Sequence, residues 1–257
     1  MPDTLNGLRV LVTRPAHQSE ELLSQLKQEG AVATPFPLLQ ISPVDEGHPA
    51  FHQIKQCILD LDLYQHVIFI SPNAAFYGGE WIDQYWPQLP VKVNWYAIGN
   101  KTAQVLNNYG IDASQSPLGY DSEALLTLPE LQQVKGEKVL IVRGAGGRAK
   151  LADELSARGA QVSYAELYVR DCPNYKNIDI VQSLTPTPDA ILISSGEALQ
   201  NLEQLVQQAE LSTDSLKSCH IIVPSDRVKN TALAMGFKRI TTASGPDNQA
   251  MMDTLKQ

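Results

Sequence analysis

The strongest constraint in this chain is that it repeats itself. Val10–Leu11–Val12–Thr13–Arg14 returns as Val139–Leu140–Ile141–Val142–Arg143. At the same shift Gly30–Ala31 returns as Gly159–Ala160, and Leu38–Leu39 as Leu167–Tyr168. The middle segments match as well: Val67–Ile68–Phe69–Ile70–Ser71 corresponds to Ile191–Leu192–Ile193–Ser194–Ser195, and Asp121–Ser122–Glu123–Ala124–Leu125 to Asp247–Asn248–Gln249–Ala250–Met251. A duplicated frame in 257 residues points to two related domains rather than one large one.

Apolar runs rich in β-branched residues alternate with helical patterns through both copies. Strands are expected over residues 8–13, 31–38, 67–70, 93–98, 138–142, 190–193, 220–223 and 239–242. Helices follow them, and Gly30, Gly110, Gly159 and Gly236 stand where helices stop. This alternation predicts an α/β fold with two doubly wound parallel sheets. Residues 160–171 run on past the length one strand needs, so they are read as leaving one domain and crossing to the other. The repeat then places residues 1–38 and 172–257 in a discontinuous first domain and 45–165 in an inserted second domain. Residues 39–44 and 166–171 form a two-stranded β linker, with a hinged cleft between the domains and Tyr168 on the crossing.

Several functions are excluded early. A net charge of −8 gives no support to nucleic-acid binding. No apolar stretch approaches the roughly 20 residues of a membrane span, and no signal-peptide pattern opens the sequence. Cys57, Cys172 and Cys219 are odd in number and far apart, which suits a reducing cytoplasm. The five histidines show no metal-ligand spacing, and no nucleophile elbow is present. Gly144–Ala145–Gly146–Gly147–Arg148–Ala149 fits a dinucleotide fingerprint, with Glu166 further on. Its repeat partner Arg14–Pro15–Ala16–His17 has no glycines, so a nucleotide-dependent oxidoreductase is a weak alternative.

The ligand-facing positions of such sheets are the C-terminal strand ends. There lie Thr13 and Arg14, Ser71 and Asn73, Gly99, Lys101 and Thr102, Arg143 and Gly144, Ser194 and Ser195, and Ser225. Most are small, hydroxylic or at helix starts, where free N–H groups favour anions. Arg14 and Arg143 suit carboxylates, unless they serve as internal salt bridges. The serines can equally be plain helix caps, and Tyr168 plain packing. Arg148, Lys150, Arg158, Arg227 and Lys229 read as solvated helix faces.

Taken in order, Val12–Thr13–Arg14–Pro15, Phe69–Ile70–Ser71–Pro72–Asn73–Ala74, Ala97–Ile98–Gly99–Asn100–Lys101–Thr102–Ala103, Leu167–Tyr168–Val169–Arg170 and Ile193–Ser194–Ser195–Gly196 make the chain resemble the uroporphyrinogen-III synthase family over nearly its whole length. Val223–Pro224–Ser225 departs from the family's usual Ile-Gly-x-x-Thr-Ala pattern in the second copy. The resemblance implies two α/β domains and a cofactor-free cyclising lyase of tetrapyrrole and haem biosynthesis. It would close hydroxymethylbilane, a linear tetrapyrrole polycarboxylate, to uroporphyrinogen III with ring D inverted. It further implies Tyr168 as the group assisting departure of the substrate hydroxyl, with the strand-end residues holding carboxylates. A monomer is expected, with a transient contact to porphobilinogen deaminase as its one protein partner. The competing reading from another class is a hinged small-molecule-binding module without turnover.

Overall fold

The computed structural model describes residues 5–119, 121–147 and 149–257, without the side chain of His17. Arg148, read from sequence as a solvated position, lies outside the described residues. The chain divides into two compact units, Met1–Gln40 with Asp171–Gln257, and Ile41–Arg170.

In the first unit β1 (Arg9–Val12) is flanked by β2 (Val32–Pro35). The strands β3 (Gln40–Pro43), β4 (His66–Phe69), β5 (Asn94–Ala97), β6 (Lys138–Gly144) and β7 (Gln161–Asp171) make the second sheet. The chain then completes the first sheet with β8 (Ala190–Leu192), β9 (His220–Val223) and β10 (Arg239–Thr242). The sheet orders are β10-β9-β8-β1-β2 and β3-β7-β6-β4-β5. Read in matching directions, β9-β8-β1-β2 corresponds in order to β5-β4-β6-β7, as expected from the repeat. The pairings within these two sets of four strands are parallel.

Parallel strands covered on both faces read as continuous apolar runs, and Val67–Ile68–Phe69 and Ile221–Ile222–Val223 are wholly buried. Each sheet carries two core layers. In the second unit one layer packs helices Phe51–Leu59, Pro72–Tyr85 and Asn100–Asn107, and the other packs Lys150–Ala157. In the first unit Gly196–Gln208 and Asp226–Ala234 cover one face, with Glu20–Gln28 and Asn248–Leu255 on the other.

Three local expectations are corrected. Strand β6 does not stop at Val142 but runs through Arg143 and Gly144, and the next helix begins only at Lys150. A buried arginine can stay in a strand when its guanidinium is covered, as described below. The strand over 31–38 is shorter, because Pro35 and Pro37 offer no N–H; Phe36 and Leu38 still donate to Val12 and Thr13. Arg158 is not a solvated position: its guanidinium donates to the carbonyls of Leu126 and Leu131 and to Glu154.

His220 opens β9 in register with Arg239, and its Nε2 lies 2.8 Å from Thr241 Oγ1. Burial, and after it Arg239, holds this imidazole below its ordinary value of 6.5. The unfolded chain therefore binds the proton more readily. The site's contribution to stability is complete above pH 6.5 and is lost as pH falls toward the folded value. Urea midpoints of the wild type and His220→Asn, compared at about pH 7.5 and about pH 5.5, are expected to show the smaller acid loss in the variant.

Candidate functional site

The strand-end residues fall into one row per unit, because the strands that carry them are parallel neighbours. In the first unit the row is Ser225 after β9, Ser194 and Ser195 after β8, and Thr13 and Arg14 after β1. Thr13 is fully buried, and its Oγ1 donates to the Leu192 carbonyl at 2.7 Å, tying β1 to β8. Arg14 donates to the Pro246 carbonyl and to Asn248 Oδ1, and burial pulls its guanidinium below its ordinary value against the favourable charges of Asp247 and Glu21. Ser195 caps helix Gly196–Gln208 by accepting from Ala198 N at 3.1 Å. Ser225 occupies the cap position of Asp226–Ala234 without making a side-chain cap bond. The Ser194 hydroxyl is buried with no hydrogen-bond partner among the described residues.

In the second unit the row is Gly99 after β5, Ser71 after β4, then Arg143 and Gly144 closing β6, and Tyr168 in β7. Gly99 is buried and extended, and its carbonyl accepts from Thr102 and Ala103. Lys101 is exposed on the first turn of that helix and Thr102 is buried beneath it. Asn73 is half-buried on the first turn of Pro72–Tyr85.

Strand β7 decides which side chains meet. Its pairing with β6 runs Val142↔Ala165 and Arg143↔Glu166, then jumps to Gly144↔Tyr168, leaving Leu167 without a partner on that side. On a strand, alternate residues share a face. Tyr164 and Glu166 lie on the Arg143 face, and simple alternation would send Tyr168 there too. The extra residue turns Tyr168 onto the opposite face, among Leu140, Val142 and Leu167.

There Tyr168 is 5% exposed. Its hydroxyl lies 3.0 Å from Ser71 Oγ, and its ring centroid 5.6 Å from that of Tyr77. Gly144 lies under the ring: a Cβ at that position would stand 2.4 Å from Tyr168 Cε2. Ser71 also caps its helix, accepting from Ala74 N at 3.0 Å. Sequence reasoning misses Tyr77, which reads as an ordinary helix aromatic. The available signal is Gly78–Gly79 beside it, two small residues that let this helix close onto Phe69 and Tyr109. Burial first, and then Tyr168, pushes the Tyr77 phenol up, so it stays protonated.

On the other face Arg143 is 3% exposed. Its Nε donates to the Gly144 carbonyl at 3.1 Å and lies 3.7 Å from Glu166 Oε1, and its guanidinium sits 5.0 Å from the Tyr164 ring centroid. It borders a cavity of about 170 Å³ walled by Ile70, Ile98, Ser122, Leu151 and Tyr164. Apolar walls with one guanidinium suit a carboxylate on an aliphatic stem. The Gly-rich loop has a local explanation. Gly144 admits the Tyr168 ring, Gly146 has φ +72°, and a Cβ on Gly147 would meet the Arg143 guanidinium. Among the described residues no cluster of His, Cys, Asp and Glu could hold a metal ion, and no helix is long and apolar enough to cross a membrane.

Residues 20–253 match the family model described as uroporphyrinogen-III synthase HemD. The chain is 33% identical over 254 residues to the uroporphyrinogen-III synthase of Escherichia coli (strain K12), covering 97% of this chain and all of the relative. It is 33% identical over 251 residues to that of Salmonella typhimurium, with the same coverage. Among solved structures, a mutant uroporphyrinogen III synthase from the extremely thermophilic bacterium Thermus thermophilus aligns with a TM-score of 0.66 at 16% identity, over 97% of this chain and 98% of the other. The Helicobacter pylori 26695 enzyme aligns at 0.61 and 11% identity, over 96% and 97%. These two likenesses concern the fold.

The two glycines under Tyr168 and Arg143 are expected to differ in cost. Gly144→Ala forces a rigid buried ring to move and should lose about 1–3 kcal/mol in urea unfolding. Gly147→Ala meets only the end of a flexible side chain, so it should lose less while displacing the guanidinium.

Proposed function

Because the chain belongs to the uroporphyrinogen-III synthase family, we propose a division of labour among its strand-end residues. The protein is a cyclising enzyme of haem biosynthesis. It closes hydroxymethylbilane to uroporphyrinogen III with loss of one water. The closure is redox-neutral, so it draws on no electron-carrying cofactor.

Tyr168 donates its phenolic proton to the departing substrate hydroxyl, which leaves as water and creates an azafulvene cation. The substituted carbon of ring D attacks that cation, and the resulting spiro intermediate fragments and recloses at the free carbon of ring D with the ring inverted. That carbon then loses its proton, which restores the pyrrole and balances the proton given up by the phenol. Uncatalysed closure gives the symmetrical isomer, so orientation of the chain is the larger part of catalysis. A phenol is a modest acid near neutrality, and its share is roughly 10²-fold or less. The observation that supports Tyr168 is its placement: a packed ring with its hydroxyl held at the Ser71 helix start, in the strand-end row.

Arg143 and its cavity take one carboxylate arm of the substrate, with Ser71, Asn73, Gly99, Lys101, Thr102 and Gly144 offering the row's polar groups. Arg14, with Thr13, Ser194, Ser195 and Ser225, plays the corresponding part in the first unit. The enzyme works as a cytoplasmic monomer, with three free cysteines in keeping with a reducing compartment, and takes its unstable substrate directly from porphobilinogen deaminase.

A coupled assay tests this. Porphobilinogen and its deaminase generate hydroxymethylbilane in place, and the oxidised products are separated chromatographically. The wild type should shift the product from isomer I to isomer III; isomer I alone, from folded protein, would favour a binding module. Tyr168→Phe should lower kcat by roughly 10²-fold or less, and Arg143→Gln should raise KM more than it lowers kcat.

A further inference from the structure

Ser71 carries two hydrogen-bonded contacts on one hydroxyl. Its oxygen accepts the Ala74 N–H at 3.0 Å and lies 3.0 Å from the Tyr168 hydroxyl. A serine hydroxyl has one proton and two lone pairs, so two arrangements exist. If Ser71 accepted from Tyr168 as well, its own proton would gain nothing from the pair, and the phenol's proton would be spent inside the protein. If Ser71 donates to Tyr168, its proton is used and the phenol's own proton points away from Ser71. Two features favour the second arrangement. The Ala74 N–H polarises the serine O–H it binds, and the partial positive charge of the helix start makes that hydroxyl a better donor.

The duplicate unit is an internal control. Ser195 is the repeat partner of Ser71, and it caps its helix in the same way, with Ala198 N at 3.1 Å. The repeat partner of Tyr168 is Leu39, buried in an apolar cluster. Capping alone therefore needs no phenol beside the serine. The ring's position is already set by Gly144 beneath it and Tyr77 beside it. The proton's direction is the freedom that remains.

We propose that Ser71 is a positioning residue: it donates to the Tyr168 oxygen and so presents the phenol's proton to the substrate's departing hydroxyl. This rests on Tyr168 being the proton donor.

The decisive variant is Ser71→Asp. Aspartate caps helices as well as serine does, but an ionised carboxylate only accepts, so it draws the Tyr168 proton inward. In the coupled isomer assay, with folding checked by circular dichroism, Ser71→Asp should lower kcat by about 10-fold or more. In a Tyr168→Phe background the same change should lower kcat by a smaller factor than in the wild type, because no phenol proton remains to be turned inward. Ser71→Thr, which keeps cap and donor, should recover most of the rate lost in Ser71→Ala. Full kcat in Ser71→Asp while Tyr168→Phe is impaired would overturn the role of Ser71 and leave that of Tyr168 standing. A loss in the double variant equal to the product of the single losses would also overturn it, pointing to repulsion of the substrate's carboxylates. Full turnover in Tyr168→Phe would instead remove the donor on which the inference rests.

Discussion

The second unit's site depends on one unmatched residue. Between Arg143↔Glu166 and Gly144↔Tyr168 the strand β7 spends Leu167 without advancing on β6, and its side-chain alternation reverses. Without that step Tyr168 would join Tyr164 and Glu166 beside the Arg143 guanidinium. With it, an arginine and a tyrosine on neighbouring strands face opposite core layers. The arginine borders an apolar cavity, and the tyrosine meets a serine-capped helix. The unmatched residue is not wasted, because the Leu167 carbonyl accepts from Val44, next to β3, at 2.9 Å. A backbone displaced from one neighbour thus stays satisfied by the other.

The glycines of the following loop are consequences of the same step. A ring turned onto the Gly144 face needs a residue without a Cβ there, and a guanidinium folded back on the other face needs one at Gly147. Two packing demands, with a positive φ at Gly146, produce a spacing that also occurs in dinucleotide-binding turns. In those turns the glycines admit a pyrophosphate at a helix start. Here the approaching groups are the protein's own Tyr168 and Arg143, and the next helix does not begin until Lys150.

Much of this architecture was legible in the sequence because it follows from periodicity. Apolar runs such as Val67–Ile68–Phe69 read as buried strands, and the matched segments implied two related α/β units. Ser71, Ser195, Asp121 and Asp247 cap their helices as residue type and position suggested. What escaped was whatever breaks a period or depends on partners distant in sequence. A charged residue at 143 looked like the end of a strand, because its cover by Gly144, Tyr164 and Glu166 is tertiary. Val162, Tyr164, Glu166 and Tyr168 share parity, so no pattern of two could reveal that the last of them changes face. Ser225 looked like a cap of the same kind and holds the place without the bond.

Duplication explains why one frame can hold two kinds of strand end. Each copy supplied a parallel sheet with capped helix starts along one edge, a scaffold already suited to anionic groups. The two copies differ at strand ends that otherwise correspond. Arg14 is tied to Pro246 and Asn248, while its partner Arg143 borders a cavity. Leu39 lies in an apolar core, while its partner Tyr168 has a hydroxyl partner in Ser71. Moving a phenol to that place needed no new backbone element. It needed one residue out of register, a glycine beneath the ring and a serine that was already capping a helix.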